Sequence, residues 1–279
     1  MKNKYCKNRI NTSLLALSLV TGTVFAGEEM KPAPAPAPAE DVISGVLTLS
    51  ANSHFISYGN DVWGDGASLS RLEFNPTLEF TFKLPENFSL VLGTWWDVTS
   101  KGATPARIGG YTQEIDLWAG VGYTYDKFSV MTTYQAWSYG GGVEQIIDVK
   151  LAYACLLSPS LTFHNRVAEG ASGGANGTIM VLGLSHTIDA GPVAISFPVN
   201  FATALTDNYH RDTGTGADSG YAYTSVGVQA AYPLAFLGDT YGKWSLTSGL
   251  NYYWTNNNVT VNNSENNFLT YNFGLAASF

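Results

Sequence analysis

Counting back by twos from Phe279, the last residue of the sequence, gives Phe279, Ala277, Leu275, Phe273, Tyr271 and Leu269, all apolar. Ser278, Ala276, Gly274, Asn272 and Thr270 alternate with them, all small or polar. A strict period of two is the spacing of a β-strand with one apolar face and one wet face. A chain whose end is written this way is constrained toward sheet.

The alternation recurs from Val42 onward, broken by turn residues. Strands are expected near 42–56, 70–83, 88–99, 111–124, 127–138, 143–155, 159–168, 177–188, 192–204, 220–232, 243–255 and 267–279. In the second, Leu72, Phe74, Leu78, Phe80 and Phe82 oppose Arg71, Glu73, Asn75, Thr77, Glu79, Thr81 and Lys83. In the eleventh, Trp244, Leu246, Leu250, Tyr252 and Trp254 oppose Ser245, Thr247, Gly249, Asn251 and Tyr253. The connections alternate in length. "LPEN", "YDK", "LSPS" and "DAG" are tight turns, and "RDTGTGADSG" is a long polar loop. The link after strand five ("YGGG") is short for its side and "LAFLGDTYG" after strand ten is long. Short turns at one end and long loops at the other are the pattern of an all-β, transmembrane, antiparallel up-and-down β-barrel of about twelve strands, residues 42–279. An even count puts both termini at the turn end, which is periplasmic in such barrels. A soluble β-sandwich is the alternative, but it exposes charged strand faces to water. The polar faces here are mostly Ser, Thr, Gly and Asn.

Composition agrees. Charged residues make up 13% of the chain, about half the usual share. Residues 1–26 read as a secretory signal: Lys2, Lys4, Lys7 and Arg9 precede a short apolar run, Leu14 to Phe25, with Val24 and Ala26 at the cleavage positions. Cleavage leaves Cys155 as the single cysteine, which excludes an internal disulfide. Four of the 14 basic residues leave with the signal, so ten face 22 acids, a formal charge of −12. Nucleic acid is an unsuitable partner at that charge. Residues 27–41, with "KPAPAPAPAED", read as a Pro/Ala-rich polyproline spacer, alternatively a contact for a periplasmic or cell-wall partner.

Twelve strands spaced about 4.8 Å and tilted about 40° give a backbone radius of roughly 12 Å, and an open core only a few ångströms in radius. The expected inward face carries Arg71, Glu73, Glu79, Lys83, Asp97, Glu114, Asp116, Glu144, Asp148, Lys150, His164 and Arg166. Charges facing lipid cost several kcal/mol, so the lumen is their place. There they either line a path for ions or small solutes, or pair with one another and brace a closed barrel. Seven acids against four bases would favour cations. The expected functions are accordingly a porin-like channel for passive diffusion, or a structural barrel with a closed lumen serving envelope interaction.

Catalysis finds little support. His54, His164, His186 and His210 are scattered, and neither a "GxSxG" elbow nor an "HExxH" helix occurs. A lipid-acting enzyme is the minor alternative, because Ser158 and Ser160 lie near His164 in sequence, though toward the turn end. No cofactor or metal is expected. "GNDVWGDG" lacks calcium-loop spacing, since Trp63 stands where an oxygen ligand belongs, and it reads as an external loop with Trp63 at the lipid headgroups.

The terminal strand resembles those of bacterial outer-membrane barrels, whose assembly machinery reads a C-terminal aromatic; Phe279, with Phe273 and Tyr271, would be that signal here. With "HFISYGNDVWG", "EIDLWAGVGYTYDKFSVMTTY" and the terminal strand, residues 42–279 resemble the TorF-type putative porins. That family usually shows an aromatic followed by Arg-Gly in the first motif, where this chain has Tyr58-Gly59. The resemblance implies an outer-membrane protein surrounded by lipid, with no assigned solute.

Overall fold

The structure, a computed structural model, describes residues 42–279 apart from 71, 100–107, 170–172 and 212–215. The expected signal and spacer, and Arg71, lie outside the described residues. The wall begins with β1 (Ile43–Asn52), followed by a two-rung hairpin, β2 (Ile56–Ser57) and β3 (Asn60–Asp61), that does not join it. Then come β4 (Glu73–Lys83), β5 (Phe88–Val98), β6 (Thr112–Tyr125), β7 (Phe128–Tyr139), β8 (Gly142–Tyr153) and β9 (Ser160–Ala168). β10 (Gly177–Ala190), β11 (Val193–Ala204), β12 (Gly220–Pro233), β13 (Lys243–Thr255) and β14 (Asn267–Ser278) complete it.

Each wall strand pairs antiparallel with its sequence neighbour, and β1 pairs with β14 to close a twelve-strand barrel. Closure leaves no sheet edge with unpaired backbone groups. Every expected strand is present, with ends displaced by a few residues. The largest displacement is in β1, which stops at Asn52 instead of continuing to 56. There the chain turns inward, held by two bonds to β14: the Ser53 N–H donates to the Tyr271 carbonyl, and the Tyr271 N–H donates to Ser53 Oγ, each 2.9 Å.

The period of two sorts side chains by face. Phe74, Leu92, Trp96, Leu117, Val121, Phe201, Leu246, Leu250 and Phe273 stand exposed around the outside. Such a continuous apolar band is foreign to a water-facing surface and matches hydrocarbon. The inner face of β1 is Thr48, Ser50 and Asn52, all buried, and that of β13 is Ser245, Thr247, Gly249 and Asn251. Its short side chains leave the centre to be filled from elsewhere, and at the loop end it is filled.

Candidate functional site: a lumen bridged by an inward hairpin

The charged wall occupies β4 to β9. Glu73, Asp97, Glu114, Asp116, Glu144, Asp148, Lys150, His164 and Arg166 all point inward and are buried. Glu79 is half-buried and accepts a hydrogen bond from Trp118 Nε1 at 3.0 Å. Lys83 is exposed where β4 meets its turn. Register brings the acids together: Asp97 faces Glu114 across β5–β6, and Trp137 on β7 faces Asp116 on one side and Glu144 on the other.

On β8 and β9 the charges pair. His164 Nδ1 lies 2.6 Å from Asp148 Oδ1, while Gln135 Nε2 donates to Asp148 Oδ2 at 2.8 Å. Arg166 Nε donates to Glu144 Oε2 at 3.1 Å. Its Nη1 donates to the carbonyls of Ala175 and Tyr209, at 3.2 and 2.8 Å, and the guanidinium lies 4.1 Å over the Tyr209 ring. Two loops, β9–β10 and β11–β12, are thereby tied to one wall arginine. His164 bonds Asp148 and not the nearby serines; Ser158 Oγ donates to the Cys155 carbonyl.

The segment from Ser53 to Ser70 crosses the lumen, although the sequence reads Gly59 to Gly66 as an external loop and Ser53 to Ile56 as the end of the first strand. Its tip, Tyr58-Gly59, has φ of 49° and 86°, the two positive values of a type I′ turn. Glycine takes this conformation freely; tyrosine does so at a cost of order 1 kcal/mol. The Tyr58 ring stacks on His164 with centroids 3.8 Å apart, and the His164 ring also stacks with Trp137 at 5.3 Å. β9, which carries His164, is six strands from β1 in either direction around the barrel. The hairpin therefore spans from one wall to the opposite one.

Two other loops grip the tip. His210 Nε2 donates to the Tyr58 carbonyl at 3.0 Å, and Asn263 Nδ2 donates to the Gly59 carbonyl at 2.9 Å. Asn263 Oδ1 accepts from the Asp61 N–H at 2.7 Å. A Cβ at Gly59 would collide with the Tyr223 ring, so only glycine fits there. Within the loop, Asp61 Oδ2 accepts from the Gly66 N–H at 2.7 Å, and His54 Nε2 donates to the Gly66 carbonyl at 2.6 Å. Ser53 Oγ lies 2.8 Å from His54 Nδ1, and the imidazole is fully buried. Burial, reinforced by the Asp148 charge, raises the Tyr58 phenol well above its ordinary value. Burial, with Arg166 nearby, pushes the His210 imidazole down to about 3.

Two apolar clusters result. Ile56 and Tyr58 pack with Ile179, Ala202, Tyr223, Tyr253 and Phe268. Phe55 packs on Trp95 at a centroid distance of 4.9 Å, with Val62, Trp63 and Trp118 around them. Trp63 thus corrects the headgroup expectation: its Nε1 donates to Asp97 Oδ2 at 3.1 Å, inside the barrel. Sequence reading missed this hairpin. Its signal was the two-residue Tyr-Gly turn in "ISYGND", weaker than Asn-Gly or Asp-Gly.

No protein-family profile matches the chain, and no curated protein matches it in sequence. Among solved structures it is similar to the KdgM porin in complex with disordered oligogalacturonate, at 10% identity over 85% of this chain and 99% of that one, TM-score 0.45. It is likewise similar to the NanC porin, at 9% identity over 83% and 98% of the two chains, TM-score 0.48. Outer membrane phospholipase A from Escherichia coli is similar at 11% identity over 84% and 92%, TM-score 0.41. Neither solute nor activity passes from these proteins to this one. What the chain's own pairing establishes is a closed, antiparallel, twelve-strand β-barrel.

Proposed function

We propose that the protein is a porin-like channel of the bacterial outer membrane, passing ions or small solutes, with both termini periplasmic and the Asp207–Gly220 loop outside. The observation that carries this reading is the inner wall of both charge signs, from Glu73 to Arg166, inside a barrel whose outside is apolar. A wall built only to fill space is better served by apolar side chains, because burying charge costs several kcal/mol per group. The resemblance of the motifs to TorF-type putative porins fits the reading.

The excess of acids on β4, β5 and β6 makes cations the preferred class, since a narrow low-dielectric lumen focuses their field. Planar-bilayer recording tests it. Discrete conductance steps and a cation-selective reversal potential at low salt are expected. Replacing Glu114→Gln together with Asp116→Asn should lower that selectivity. Silence from folded, heat-modifiable protein would refute the channel; anion preference would refute the role given to the acids.

One observation favours a second reading, the structural barrel with a closed lumen. Ile56, Ile146, Ile179 and His164 are fully buried, which fits a loop end packed shut by the hairpin. The same silence in bilayers would support that role.

A further inference from the structure

The seal and the polar wall are compatible if the seal moves. We infer that the Ser53–Ser70 segment is a gate: it swings out of the lumen about its roots at the end of β1 and the start of β4, and Tyr58 is the latch. This inference rests on the channel reading above.

Three observations carry it. First, the segment is no part of the wall: its strands β2 and β3 pair only with each other, so it can leave without breaking a barrel ladder. Second, besides the packing of Ile56 and Tyr58 in the apolar cluster, its far end is fixed by a small set of specific contacts, the Tyr58–His164 stack and the bonds from His210 and Asn263. His210 and Asn263 lie in the β11–β12 and β13–β14 loops, so motion of those loops acts directly on the latch. Third, the tip keeps a tyrosine at a left-handed position where Asn would make the turn more easily. A residue held against local preference is doing something other than turning the chain, and here its ring reaches the opposite wall.

The path uncovered runs past the acids. Trp63 leaves Asp97 when the segment swings out, and Tyr58 leaves the His164–Asp148 pair. Closed, the hairpin covers both; open, it exposes both to the lumen.

The test separates gate from channel by two readouts. In a Cys155→Ser background, Gly66→Cys with Glu265→Cys forms the lock: a Cβ at Gly66 would sit 3.5 Å from that of Glu265, within disulfide reach. Gly66 has φ of 56°, so folding of the lock is verified by heat-modifiability and by recovery on reduction. Tyr58→Asn with Asn263→Ala is the release; it keeps the turn while removing the ring and both Asn263 bonds to the hairpin, at the Gly59 carbonyl and the Asp61 N–H. Single-channel recording gives open fraction. A water-soluble maleimide applied to Ala222→Cys, fully buried in the cluster beneath the hairpin, gives opening without any need for conduction. Release is expected to raise both by about tenfold or more, the effect of losing one stack and two hydrogen bonds. The oxidised lock should suppress both, and reduction should restore them. Conductance unaffected by lock and release, with unchanged labelling, would overturn the gate and leave the channel standing. Labelling that follows lock and release in a barrel that never conducts would overturn the channel while the hairpin still moves.

Discussion

Arg166 joins three parts of the molecule through one guanidinium: Glu144 on the wall, and the carbonyls of Ala175 and Tyr209 on two loops. Its alternating position on β9 predicted an inward charge, and inward it points. That it would bind backbone was not visible, because its carbonyl partners carry no sequence mark. His210 is a second such case, a polar residue whose bond to Tyr58 spans 152 positions. It also makes loop packing sensitive to acid. Its pKa falls from 6.5 to about 3 in the folded loop, so between those limits the undocked loop binds the extra proton. Docking is therefore complete above about pH 6.5 and weakens as pH falls toward 3. Hydrogen exchange at Tyr209 and His210, corrected for intrinsic rates, should accelerate over that interval. His210→Gln, which can still donate to the Tyr58 carbonyl without titrating, should remove the dependence. A wild-type response that is flat in pH would refute the assignment.

Among the elements, β14 shows what its alternation is for. Phe279 lies one residue past the strand, yet its N–H donates to the Gly45 carbonyl at 3.0 Å and its carbonyl accepts from the Gly45 N–H at 2.6 Å. Its ring meets Phe80 of β4 edge-on at 5.9 Å, over a glycine whose Cβ would collide with it. The terminal residue thus fastens the seam between the last strand and the first. Phe279→Asp, or Gly45→Val, should reduce the heat-modifiable form in membranes severalfold while export to the periplasm is unchanged. Unaltered membrane levels in both variants would show the contact to be incidental. The wall strands were legible because each residue's face is set by its immediate neighbours. The β2–β3 hairpin was not, because its fate depends on Asn263 of the β13–β14 loop, 204 positions from the Gly59 carbonyl it holds. Trp63 was misplaced for a related reason: an aromatic in a barrel loop has two apolar destinations, the headgroups and the lumen, and only the turn at Tyr58 decides between them.

For the whole molecule, the short turns and long loops define two ends, and the proposed orientation puts the loops outside. An epitope inserted after Asp218, which is exposed, should be reached by antibody on intact cells. Labelling confined to cells with ruptured outer membranes would invert the orientation. The hairpin's reach across the barrel also bears on how the molecule is made. Ser53–Ser70 is synthesised early, but His164, His210 and Asn263 follow much later in the chain. Local contacts can form as soon as their residues exist, whereas distant ones wait for the intervening chain to be ordered. The hairpin's partners on β5 and β9 are made before Asn263 is, so its docking is complete only when the β13–β14 loop has closed on the Gly59 carbonyl.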